Sequence, residues 1–256
     1  MKSAIILSTV LFFGATATAG IALAGQSEGF QGPWSDPTKA IVIDFYEENL
    51  IDWNMLATDP RVCALIHEAT NGYYIDRAYQ KRKSEAEKRG YKWGSCHVGI
   101  PGDPVKQADF YLSVARPAAD ELMALDLEDL DPEQSMTLEQ ARGFIQRIKE
   151  KTGRYPMVYG DGSVIREISY RYGRDGVFSQ TPLWYARFRG SIANFPKGTW
   201  DNYTLWQFKS EMNCSWSQID SCPYLVPGTR TDMDVNVYNG TIDELRKNWP
   251  FSQAGD

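Results

Sequence analysis

Short apolar runs recur along the chain, and several are apolar on both faces of an extended strand. Ala40-Ile-Val-Ile-Asp44 is the first, Val62-Cys-Ala-Leu-Ile66 the second, and Glu121-Leu-Met-Ala-Leu-Asp-Leu-Glu128 the fourth. Strands buried on both faces belong to parallel sheets covered by helices. Helical sequence separates them here. Asp76 to Arg89 is a charged helical stretch stopped by Gly90, and Pro104 to Ala119 reads as another helix. Lys92 to Val98 supplies the third strand, and Pro156-Met-Val-Tyr159, Leu183-Trp-Tyr-Ala186, Thr204-Leu-Trp-Gln-Phe208 and Met233 to Tyr238 supply the last four. Eight strands alternating with helices predict an α/β fold, a single (β/α)8 TIM-like barrel over residues 40–250 with some short or irregular late helices.

Local signals agree with that reading. Thr137-Leu-Glu-Gln140 is a capping box, in which the Thr hydroxyl accepts from the backbone three residues on while Gln140 reaches back. Leu138, Ala141, Ile145 and Ile148 give the helix that follows a buried stripe, and Gly153 suits its C-terminal end.

In such a barrel, catalytic groups collect at the C-terminal strand ends. Asp44 ends the first strand, Asp126 and Glu128 end the fourth, and Asp232 or Asp234 lies at the eighth. Alternation puts Asp126 and Glu128 on one face. Two carboxylates crowded together resist ionising together, so one keeps its proton while the other has lost it, as acid/base cleavage of a glycosidic bond requires.

With 256 residues, 43% of them hydrophobic, the chain can bury a sizeable core. A net charge of −6 argues against a nucleic-acid partner held through phosphates. Eight Trp and fourteen Tyr are many for this length, and flat rings suit both sugars and barrel cores. Lys2, the apolar stretch Ala4 to Phe13 and small residues ending in Ala22-Leu-Ala24 read as a signal peptide over residues 1–24, which makes the protein exported, periplasmic or secreted. The apolar part is too short to span a bilayer, and no integral membrane segment is expected once it is removed. Residues 25–39 read as an extended lead-in and 251–256 as a tail.

In an oxidising compartment, Cys214 and Cys222 are expected to bridge a short polar loop. For Cys63 and Cys96, a second bridge and two buried thiols both stay open. No pair has C-x-x-C spacing and the chain has two His, which argues against a structural zinc site.

Taken together, these residues resemble the glycoside hydrolase family 25 muramidases, the Chalaropsis-type lysozymes, from about Ile41 to Leu245. The carriers are Ile43-Asp-Phe-Tyr46 with Ile51-Asp-Trp53; Ile66-His-Glu-Ala-Thr-Asn-Gly72; Gly94-Ser-Cys-His97; Gln107-Ala-Asp-Phe-Tyr-Leu112; Leu125-Asp-Leu-Glu128; Thr152-Gly-Arg-Tyr-Pro156; Leu183-Trp-Tyr-Ala186; Leu205-Trp-Gln-Phe208; and Asp234-Val-Asn-Val-Tyr-Asn-Gly240. The resemblance implies hydrolysis of the β-1,4 bond between N-acetylmuramic acid and N-acetylglucosamine in peptidoglycan glycan strands, with net retention and no metal or other cofactor. It implies Glu128 as proton donor, with Asp126, Asp44 and Asp234 as the other acids of the groove. Asp126 is the candidate stabiliser of the developing positive charge, and direct attack and assistance by the substrate's own N-acetyl group both stay open.

Trp184, Trp206, His97, Tyr159, Tyr46 and Glu68 are the candidate substrate-binding residues. His67, on the opposite strand face from Glu68, is expected to point into the helix layer. The chain departs from the family at Glu68, where Lys or Arg is usual, at Asn71, where Glu is usual, and at Cys96, where a tyrosine often stands. The Asn-x-Ser/Thr triplets at Asn202, Asn213 and Asn239 would accept glycans only in a eukaryotic secretory pathway. Two other readings remain. One is a different barrel glycosidase such as a chitinase, although Leu122, Met123 and Ala124 stand where its further aspartates would be. The other is an inactive glycan-binding barrel. Oligomeric state has no signal in the sequence.

Overall fold

The structure is a computed structural model that describes residues 32–251. The expected signal peptide, most of the lead-in and residues 252–256 lie outside the described residues.

Nine strands form one sheet that closes on itself. They are β1 (Lys39–Phe45), β2 (Val62–Asn71), β3 (Tyr74–Ile75), β4 (Lys92–Val98), β5 (Leu122–Leu127), β6 (Met157–Asp161), β7 (Leu183–Ala186), β8 (Leu205–Lys209) and β9 (Asp234–Thr241). Closure comes from β1, which pairs parallel with β2 on one side and antiparallel with β9 on the other. Setting aside the two-residue β3, the barrel has the expected eight strands.

The last of them runs against expectation. β9 is antiparallel to both β8 and β1. The cause is the connection over residues 210–233, which contains a 3₁₀ stretch, Trp216–Ser221, but no crossover helix. Without a helix to carry it down the outside, the chain re-enters the barrel from the rim where β8 left it. Asp234 therefore begins its strand, yet stands on the same rim as the ends of β1 and β5.

The helices are α1 (Trp53–Leu56), α2 (Tyr79–Lys88), α3 (Pro104–Ala115), α4 (Leu138–Thr152), α5 (Gly162–Tyr172) and α6 (Ile242–Asn248). α4 has the expected capping box at Thr137 and Gln140 and ends at Gly153 in the left-handed region. It buries Leu138, Ala141, Phe144, Ile145 and Ile148. Each large side chain so buried contributes roughly 1.5–3 kcal/mol. α3 stops earlier than expected, where Arg116 turns left-handed at φ 44°. No α-helix lies between β7 and β8, the irregular late region the sequence anticipates.

Alternation along the strands divides the core in two. One set, including Ile41, Ile43, Leu65, Met123, Leu125 and Trp206, packs between the barrel and its outer layer. The other, including Val42, Ile66, Ala124, Met157, Trp184 and Leu205, fills the barrel interior. Leu245 of α6 and Trp249 join the interior set and close the end opposite the Asp44 rim. At the start of the described chain, Trp34 stacks on Phe208 with centroids 4.2 Å apart, fastening the lead-in to the barrel.

Candidate active site

β2 is longer than its apolar run predicts. It continues through His67-Glu-Ala-Thr-Asn71 and turns at Gly72, whose φ of +54° favours glycine, into β3. This hairpin raises one wall of an open cavity of about 520 Å³ over the barrel mouth. Asp44 from β1, Glu68 from β2, Asp126 from β5, Glu128 just beyond it and Asp234 from β9 all line that cavity. Tyr46 and Tyr159 line it too. Glu47, Glu48 and Asp76 add three carboxylates, and no Lys, Arg or His is among the lining residues.

Asp44 is the best-held of the acids. Asn236 donates to it at 2.6 Å and Gln207 at 3.0 Å. Behind them, the Trp184 indole donates to Asn236 at 2.5 Å and the Tyr159 hydroxyl to Gln207 at 2.8 Å. Burial pushes the Asp44 carboxyl up to about 6, against the pull of those two amides. Asp234 faces Asp44 in the antiparallel ladder. Burial, and then the Asp44 charge, push it well above the usual carboxylate range.

Asp126 and Glu128 form the second acidic group. Burial and the charge of Glu128 drive Asp126 well above its ordinary value, with Asp44, Glu68 and Asp234 adding to the shift. Glu128 is raised by burial, while the closeness of Asp126 works the other way. Both carboxyls are pushed above their ordinary range, so the pair keeps a proton at a pH where isolated acids have none. One oxygen of Asp126, Oδ1, is buried without a partner. Glu68 is pushed up to about 7 by burial and by Asp76, Glu128 and Glu47.

Three of the expected contact residues lie elsewhere. Trp184 shares the interior face with Asp126, but it is 1% exposed and sits beneath the cavity, its edge against Tyr159. Trp206 points outward, where its indole donates to the Arg187 carbonyl at 2.8 Å and its ring meets Trp34. His97 is buried in the outer layer, stacked on Phe144 and bonded to Thr70 and Gln107. Strand alternation is the reason for the last two, since each neighbours an inward-facing residue, Gln207 and Cys96. Asp232 precedes β9 in the loop and does not line the cavity. His67 lies in the outer layer as expected, edge-on to Phe45 and Tyr79.

Gln207, Asn236 and Asp76 were not anticipated. A polar residue at the inward position of an otherwise apolar strand is the signal that marks Gln207 and Asn236. Cys214 and Cys222 form the expected disulfide, while Cys63 and Cys96 are free, buried thiols. Among the described residues, no group of three or more His, Cys, Asp or Glu side chains is arranged to hold a metal ion, and no helix is long and apolar enough to cross a membrane.

A closed barrel with carboxyl pairs gathered around an open trench is the build of a glycoside hydrolase. The chain belongs to the glycosyl hydrolases family 25, whose family model matches residues 43–215. Among solved structures, a family GH25 lysozyme from Aspergillus fumigatus superposes with a TM-score of 0.66 at 21% identity, over 82% of this chain and 98% of that one. A muramidase from Trichobolus zukalii gives 0.60 at 22%, over 81% and 97%. The bacterial lysozyme from Streptomyces coelicolor gives 0.62 at 20%, over 82% and 96%. No match was found among curated proteins.

Proposed function

We propose that the protein is an exported lysozyme, an N-acetylmuramidase that hydrolyses the β-1,4 bond between N-acetylmuramic acid and N-acetylglucosamine in peptidoglycan. The observation that carries this reading is the convergence of Asp44, Asp126, Glu128 and Asp234 on one open cavity. Glu128 protonates the leaving oxygen, and Asp126 stabilises the positive charge that develops at the anomeric carbon or orients the N-acetyl oxygen that attacks it. Asp44 and Asp234 complete the anionic field. Tyr46, Tyr159 and Glu68, which line the cavity, contact the glycan, while Trp184 supports Tyr159 from below. The apolar N-terminal stretch and the Cys214–Cys222 bridge support export.

The test compares the parent with Glu128→Gln on purified peptidoglycan, and mass spectrometry identifies the ends released. The parent is expected to release fragments with muramic acid at the reducing end, and folded Glu128→Gln is expected to release none. Equal cutting by the variant would displace Glu128 from the acid role. Cleavage of chitin oligomers in place of peptidoglycan would favour the other glycosidase, and release of nothing by the parent would favour a binding module.

A further inference from the structure

Glu68 lines the cavity from β2, yet no hydrogen bond or ion pair among the described residues reaches its carboxylate. The other cavity acids outside the four proposed for catalysis are all engaged. Glu47 accepts from Arg77 and from the Tyr74 hydroxyl at 2.7 Å. Asp76 accepts from the backbone N–H of Glu47 at 2.7 Å and of Ala78 at 2.8 Å, and Glu48 from the Tyr46 hydroxyl at 3.3 Å. Across the ladder from Glu68 on β4 stands Cys96, a small buried side chain with only a weak S–H donor to offer.

The cations nearby are spent elsewhere. Arg77 is held by Glu47, Arg82 donates to the carbonyls of Tyr46, Glu47 and Asn49, and Lys209 donates to those of Thr231 and Met233. None of the three lines the cavity. Its carboxylates therefore face the trench with no protein cation among them, and such a cleft repels anionic groups and concentrates cationic ones. Asp126 Oδ1, buried without a partner, is a second acceptor left open in the same cavity. Tyr46 and Tyr74, 42% and 47% exposed, line it as well, and aromatic rings attract ammonium ions. Burial and the like charges of Asp76, Glu128 and Glu47 push the Glu68 carboxyl up to about 7, the direction expected of an acid whose anion lacks a counter-charge.

We propose that the cleft selects glycan strands carrying a primary ammonium, which the unpartnered Glu68 carboxylate binds at the β2 wall with Tyr46 and Tyr74 beside it. This rests on the reading of the cleft as the place where the glycan lies, and it names the substrate class within that reading. An ammonium supplies three donors and the missing positive charge, whereas an N-acetyl amide supplies one donor and no charge. Two parts of peptidoglycan have this chemistry, a glucosamine that has lost its acetyl group and the free side-chain amine of a stem peptide. Muramic acid keeps its N-acetyl group in either case, so both routes of bond cleavage stay open.

The experiment measures kcat/KM on peptidoglycan de-N-acetylated at glucosamine and on the same wall after chemical re-N-acetylation, which caps every free amine. The parent is expected to favour the amine-bearing wall by about fivefold to tenfold, and Glu68→Gln by twofold at most. Each ratio is taken within one protein, so a loss of folded material does not alter it. Added salt is expected to shrink the preference of the parent. Repeating the comparison on strands stripped of their stem peptides separates the sources: a preference that persists belongs to the sugar amine, and one that vanishes belongs to the stem. A parent that cuts both walls equally or favours the capped one would overturn the proposal, as would an undiminished preference in Glu68→Gln. Calorimetry of the parent with a glucosamine tetramer and its N-acetylated counterpart needs no cleavage, and the proposal expects the amine form to bind more tightly if the sugar is the source. A parent that cuts neither wall but keeps that order of binding would refute the hydrolytic reading alone.

Discussion

Asp44 and Asp234 stand directly opposite one another in the antiparallel ladder between β1 and β9. Directly opposed like charges destabilise a sheet, and here both carboxyls are also pushed upward by burial. The pairing exists because β9 enters the barrel from the cleft rim, and it places two acids of the trench in a region that folding alone would fill with neutral side chains.

A stability consequence follows for Asp44→Asn. The Asp44 carboxyl moves from its ordinary 3.8 up to about 6 in the folded protein. Between these values the folded state binds more protons than the unfolded one, so stability falls as pH rises through that window and stays lower above it. Asp44→Asn removes this loss. The variant is expected to match the parent near pH 3.5 and to exceed it at pH 7 by on the order of 2–3 kcal/mol, while hydrolysis falls. Urea denaturation at the two pH values checks the sign, and an Asn variant less stable than the parent at pH 7 would contradict it.

Much of this arrangement is legible in the chain. The apolar runs ending in Asp44 and in Asp126-Leu-Glu128 place three of the four acids, and the capping box at Thr137 fixes where α4 begins. Strand direction is another matter. The period-2 pattern of Asp234-Val-Asn-Val reads the same in both directions, so only the lack of a helix over 210–233 could have signalled that β9 runs backwards. The β2–β3 hairpin was missed because His67-Glu-Ala-Thr-Asn71 is too polar to read as buried strand. The placement of His97 and Trp206 away from the cavity is legible in the chain, because alternation allows only one of Cys96 and His97, and one of Trp206 and Gln207, to face it.

The two tyrosine and tryptophan environments separate binding from packing. Trp206 is 1% exposed and wedged against Trp34 and Tyr203. Tyr46, 42% exposed, lines the cavity. Trp206→Ala is expected to cost about 3–5 kcal/mol of stability and to leave KM unchanged in whatever fraction stays folded. Tyr46→Ala is expected to change stability by less than about 0.5 kcal/mol and to raise KM for peptidoglycan. Thermal melts and steady-state kinetics on the pair distinguish the roles, and a rise in KM for the Trp206 variant would return that ring to the cleft.

Glu68 tests how the surplus of carboxylates tunes the reaction. It stands on β2 opposite Cys96, lines the cavity and has no cation within ion-pairing distance among the described residues. Its carboxyl is pushed up to about 7, by burial first and then by Asp76, Glu128 and Glu47. Below that pH it is mostly neutral and exerts little force on its neighbours. Above it the new anion adds to the charge that raises Asp126, and by reciprocity it raises Glu128 as well. The shared proton of the pair is therefore held to a higher pH than two carboxyls alone would manage. Glu68→Gln removes the anion, so the rate is expected to match the parent at pH 5 and fall below it at pH 8, with the alkaline limb of the profile displaced downward by about half a unit to one unit. A variant whose alkaline limb stays in place or moves upward would show that Glu68 is electrically idle in the trench.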